Sequence, residues 1–76
     1  MDLHDFVKNF ASQFENTDEA SIKATSHFKD IVEWDSLMAL TIIAMVDENY
    51  NAKLTGQDIR ESVTVEDLYK KVKANL

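Results

Sequence analysis

The sequence predicts an all-α fold: a four-helix bundle with a long first loop and a short third helix. Three observations lead there. The 76-residue chain has no proline and a single glycine, Gly56, which suits helices and not a turn-rich β domain. Apolar residues return at three- and four-residue steps in several segments. Thr55 with Asp58, and Thr64 with Asp67, have the spacing of helix-starting capping boxes.

Leu3, Phe6, Val7, Phe10 and Phe14 share one face of a first helix, with Asp2 and Asp5 at its start, where acids suit the helix dipole. Residues 15–34 are polar and show no sustained period. They are read as a long loop with room for a short helical turn, pinned to the core by Ile22, Phe28 and Ile31. Loops this long are uncommon in compact domains and are often functional. A second helix runs from about Ser36 to Tyr50. Leu37, Leu40, Ile43, Val46 and Tyr50 make one stripe, yet Met38, Ala39, Ile42, Ala44 and Met45 cover other faces. A helix apolar nearly all round is usually buried on several sides. A domain this small buries only about 60% of its chain surface. Part of the helix is therefore expected to meet a partner or line a cavity. Residues 55–62 suggest the short third helix. Residues 64–76 form the fourth, with Val65, Leu68, Tyr69 and Val72 inward and Lys70, Lys71 and Lys73 near its end. No repeat or second domain interrupts this pattern, and residues 1–76 are read as one domain.

Composition narrows the function. There is no cysteine, which removes disulfides, thiolate metal sites and a cysteine nucleophile; any thiol chemistry needs a thiol from outside the chain. Acids outnumber bases 14 to 8, a formal charge of −6. Such a chain is not expected to bind nucleic acid, and suits basic partner surfaces. No apolar run is long enough to insert across a membrane, the first residues lack signal-peptide character, and the expected compartment is the cytoplasm.

Asp47, Asn49 and Asn51 take the first, third and fifth places of a calcium loop. The sixth and twelfth hold Ala52 and Asp58 instead of the required glycine and glutamate, so no metal site is assigned. His4 and His27 lie far apart without ligand spacing, and no glycine elbow surrounds Ser36 to support a hydrolytic trio with Asp35. These readings leave no catalytic residue, and the chain is not read as an enzyme. Asp35 is a strong N-cap for the second helix. Ser36 then stands at the first helical position, pointing away from the helix, where the local N–H groups and dipole favour a phosphate ester. The plainer alternative is that Ser36 assists capping.

With Asp35-Ser36-Leu37 opening an apolar helix, Phe28 and Ile31 before it, and "LTIIAMVDENYNAKLTGQDI" and "VTVEDLYKKV" after it, essentially the whole chain resembles the acyl carrier proteins. The resemblance implies that Ser36 carries 4′-phosphopantetheine, attached from coenzyme A by a magnesium-dependent phosphopantetheinyl transferase. It implies that Asp35 supports that modification and that Leu37 packs against partners beside the arm. It also implies a carrier whose cargo is held as thioesters and passed among acyl-transferring and condensing enzymes of fatty acid, polyketide or related lipid synthesis. A monomer is expected.

One departure stands out. Carriers of primary fatty acid synthesis usually have several acids along the second helix, where this chain has Met38 and Thr41 and keeps only Asp47 and Glu48 near the end. This points to a specialised carrier for polyketide, modified-lipid or cell-surface glycan synthesis. Met38, Thr41, Met45 and Glu48 follow one stripe and are expected to be its docking face, with Met45 in the core as the alternative. Trp34 stands where a small residue is commoner, and is read either as a cover for the bundle's end or as a partner contact. The reading that competes with a covalent carrier is a non-covalent helical interaction module gripping its partner through exposed methionines.

Overall fold

The computed structural model describes residues 1–76. Its helices are α1 (Leu3–Ala11), α2 (Ser36–Tyr50), α3 (Gly56–Glu61) and α4 (Val65–Ala74). The fold is the expected all-α bundle, with α1 packed on α4 and α2, and α3 leaning on α4.

Each helix start is chemically specified. The carboxylates of Asp2 and Asp35 accept the N–H groups of His4 and Met38 at α1 and α2. At α3 and α4 the boxes are complete: Thr55 accepts from Asp58 N–H while Asp58 accepts from Thr55 N–H, and Thr64 and Asp67 do the same. Ends are equally local. Asn51 stops α2 in the left-handed region at φ 51°, a place that glycine or asparagine fills most easily. α1 closes earlier than its apolar face suggests, because Gln13 and Phe14 donate to Phe10 and Ala11 in a tighter turn. Phe14 therefore lies beyond the helix, still buried, with its ring 5.3 Å from that of Phe10.

The core is one cluster built from every helix. Phe6, Phe10, Phe28, Ile42, Val46, Val65, Leu68 and Val72 have no exposed surface. Two short 3₁₀ turns, Glu19–Ser21 and Phe28–Asp30, give the long loop local order. Ile22 and Phe28 pin it inside, and Ile31 packs half-buried against the core. The loop is also tied through its main chain: Val65 N–H donates to the Ser26 carbonyl and Glu66 N–H to that of Ala24. Those bonds satisfy two of the amides that a helix start leaves without partners.

The α4 cap makes stability depend on acid. The N–H groups of Thr64 and Val63 hold the Asp67 carboxyl below its ordinary value. The Thr17 hydroxyl does the same to Glu33, and the Lys71 ammonium to Glu61. A carboxyl depressed by folding contributes stability that is present above its unfolded pKa and lost as pH falls through the folded one. Unfolding free energy is expected to drop on acidification from about pH 5 toward pH 3. Asp67→Asn should flatten that drop. Denaturant titrations at several pH values check this; an unchanged slope in the variant would exclude Asp67.

Candidate functional site

The approach to α2 is set by hydrogen bonds. Glu33 reaches back across the long loop, accepting from Asn16 N–H at 2.9 Å and from the Thr17 hydroxyl at 2.6 Å. Trp34 N–H closes a turn on the Ile31 carbonyl at 2.9 Å. Asp35 is extended, at φ −156° and ψ −174°, and its carboxylate caps Met38 N–H at 2.8 Å. Ser36 follows as the first helical residue, exposed to solvent.

Ser36 differs from the chain's four other serines. The hydroxyls of Ser12, Ser21 and Ser62 donate to carbonyls, and that of Ser26 accepts from Lys23 N–H. The Ser36 hydroxyl has no partner within the chain, because Asp35 already does the capping. Its neighbouring first-turn N–H groups give the spot a positive field.

A groove of about 610 Å³ opens beside Ser36. Trp34, Ala39, Leu40, Ile43 and Ile59 make it mainly apolar, Asp35 and Gly56 border it, and Arg60 is its only cationic residue. No histidine lines it, so Ser36 and Asp35 have no third member for a hydrolytic trio there. A second groove, of about 560 Å³, lies between α1 and the loop and includes His4 but neither Ser36 nor Asp35. The positions that mimic a calcium loop are split: Asp47 and Asn49 are inside α2, Asn51 caps it, and no three carboxylates or imidazoles gather to hold a metal.

The rotation of α2 corrects the expected docking stripe. Met45 is only 3% exposed and belongs to the core. Met38 and Thr41 are half-buried, the latter with its hydroxyl donated to the Leu37 carbonyl at 2.9 Å; of the four, only Glu48 is exposed. Leu37, expected beside the arm as a partner contact, is 70% exposed, and Leu40 is 63% exposed at the groove's edge. The cause is at the helix's far end. Tyr50 packs on Phe6 with ring centres 5.9 Å apart, and its hydroxyl accepts from Asn9 Nδ2 at 2.7 Å, which fixes the helix about its axis. With Met45 in the core and Met38 half-buried, an interaction module that grips through methionines would have little methionine surface on α2.

Asp35 capping an apolar helix, an unengaged Ser36 hydroxyl and a groove beside it thus lie together at the start of α2. A model of the family described as the phosphopantetheine attachment site matches residues 5–72. The chain belongs to this family. Its carrier domains hold 4′-phosphopantetheine covalently. The carrier found no significant match among curated proteins. An unengaged hydroxyl at a capped helix start, with an apolar groove alongside, suits a phosphodiester and the arm beyond it. Carrier domains work with a phosphopantetheinyl transferase and with biosynthetic enzymes in general. In this carrier no helix is long and apolar enough to cross a membrane.

Proposed function

We propose that Ser36 is the attachment residue, and that the chain is an acyl carrier protein serving a dedicated pathway of polyketide, modified-lipid or cell-surface glycan synthesis. The observation that carries the first part is the Ser36 hydroxyl, the one serine hydroxyl in the chain without an internal partner. Ser36 supplies the oxygen for the phosphodiester. Asp35 keeps the helix start in place and leaves the serine free of capping duty. The N–H groups of the first turn offset the added negative charge. The bound group would supply the thiol that this cysteine-free chain lacks, holding acyl cargo as a thioester. The chain's own part is positioning, and no catalysis is assigned to it. The domain is taken as residues 1–76, working as a monomer in the cytoplasm.

The test is intact mass after incubation with coenzyme A, magnesium and a phosphopantetheinyl transferase, followed by peptide mapping. One arm on Ser36 is expected. No gain in mass, or an arm on another residue, removes the proposal.

The specialised role rests on the face beside Ser36. Leu37, Leu40 and Ala44 make it apolar, and its acids, Asp47 and Glu48, come only at the far end. Partners are proposed to dock on it by packing more than by charge. Leu37→Asp should stay folded, since the side chain is 70% exposed. It should slow loading by the cognate acyl-transferring enzyme about tenfold, a loss of about 1.4 kcal/mol. The wild-type rate should change little between low and high salt. A steep salt dependence with an unaffected variant would assign docking to the acids instead.

A further inference from the structure

Trp34 stands between the groove and the core. It lines the groove beside Ser36 and packs against the core, where it meets three aromatic rings. Its ring meets Phe28 edge-on with centres 4.9 Å apart, lies nearly parallel to Phe10 at 6.5 Å, and reaches Phe14 at 6.5 Å. Phe10 and Phe28 have no exposed surface, so the space behind the indole is filled. Packed interiors hold few voids larger than a water molecule, and an alkyl chain could enter here only by displacing a ring.

Trp34 is also poorly placed to swing aside. The preceding residue, Glu33, is clasped to Asn16 and Thr17, and its own N–H is bonded to Ile31. The following residue, Asp35, is locked into the α2 cap. Backbone is thus held on both sides of the indole.

We infer that Trp34 is a plug that keeps cargo in the open groove and out of the helix core, so that this carrier suits short or polar-ended acyl groups and not long alkyl chains. The inference rests on the carrier reading above. An apolar chain gains in proportion to the area taken out of water, and an open groove covers it on one side only. Arg60 on the groove wall gives a polar cargo end something to meet. Replacing the indole by a smaller apolar side chain would leave room of the kind that admits small hydrocarbons in other proteins.

The experiment loads Ser36 from acetyl- and octanoyl-coenzyme A and follows thioester hydrolysis at alkaline pH, against free acyl-pantetheine. In the wild type both thioesters should hydrolyse within about twofold of the free compounds, because neither is sheltered. In Trp34→Leu the octanoyl form should be slowed about tenfold, which corresponds to roughly nine-tenths of the chain being sheltered, with acetyl unchanged. A second measurement needs no arm. Unmodified protein is titrated with free octanoyl-pantetheine and followed by NMR. Shifts should stay at Ala39, Leu40, Ile59 and Arg60 in the wild type, and reach Phe10 and Phe28 in the variant. Protection of octanoate in the wild type, or wild-type shifts at Phe10 and Phe28, overturns the inference even if Trp34→Leu does not fold. A folded Trp34→Leu that behaves as wild type overturns it too. If Ser36 takes no arm, the attachment reading fails by itself, while the titration still decides what Trp34 does.

Discussion

Ser36→Ala is expected to take no arm at all and to stay folded. The alanine lacks the only oxygen that the site offers to a phosphodiester. The other serines are poor substitutes: Ser62 is fully buried, and the hydroxyls of Ser12, Ser21 and Ser26 are engaged. Folding should not suffer, because the α2 cap belongs to Asp35 and the Ser36 hydroxyl bonds nothing. A surface substitution of this kind moves stability by less than about 1 kcal/mol. Intact mass and a thermal melt, run side by side, check both halves. An alanine variant that still gains the arm would move the attachment point elsewhere. One that melts far below the wild type would make Ser36 a structural residue.

The second large effect lies in the loop. Phe28→Ala is expected to remove a large share of the protein's stability. Phe28 has no exposed surface, and its ring contacts those of Phe10 and Trp34 at 6.2 and 4.9 Å. Truncating a buried phenylalanine costs about 3–5 kcal/mol. A chain of 76 residues has a total stability of about 4–11 kcal/mol. With about 4–8 °C lost per kcal/mol, the midpoint should fall by at least about 12 °C. Val32→Ala, in the same loop but fully exposed, should change nothing measurable. Circular dichroism melts of the two variants make the comparison. A drop of under about 5 °C for Phe28→Ala would mean that the loop is not part of the cooperative core.

The sequence disclosed what was local. Thr55 with Asp58 and Thr64 with Asp67 announce α3 and α4 because both partners of each bond lie three residues apart. Asp35 announces α2 for the same reason. What escaped was decided at a distance. Met45 looked as fit for the surface as Leu40, since α2 is apolar almost all round and a pattern without contrast carries no rotation. The rotation comes from Tyr50 meeting Asn9 and Phe6, residues more than forty positions away. Trp34 could be read as a cover or as a partner contact until the rings of Phe10, Phe14 and Phe28 were placed around it. The freedom of the Ser36 hydroxyl is half legible: the cap can be assigned to Asp35, but the engagement of the other serines is set by the folded loops around them.

The two bonds that hold the long loop to the start of α4 join backbone to backbone, from Val65 and Glu66 to Ser26 and Ala24. No side chain takes part in the bonds, so most replacements at Ala24, Ser26 and Glu66 leave the fastening whole, while Val65 is constrained by the core and not by these bonds. Related chains can therefore diverge freely in spelling here and still inherit the same path. Proline is the exception. It is normally welcome in the first turn of a helix, but at residue 65 or 66 it would delete the donating N–H. A change in length between residues 24 and 26 would be felt more than any ordinary change of letter, since it shifts which carbonyl arrives. Likeness in this loop is thus better sought in its spacing than in its residues.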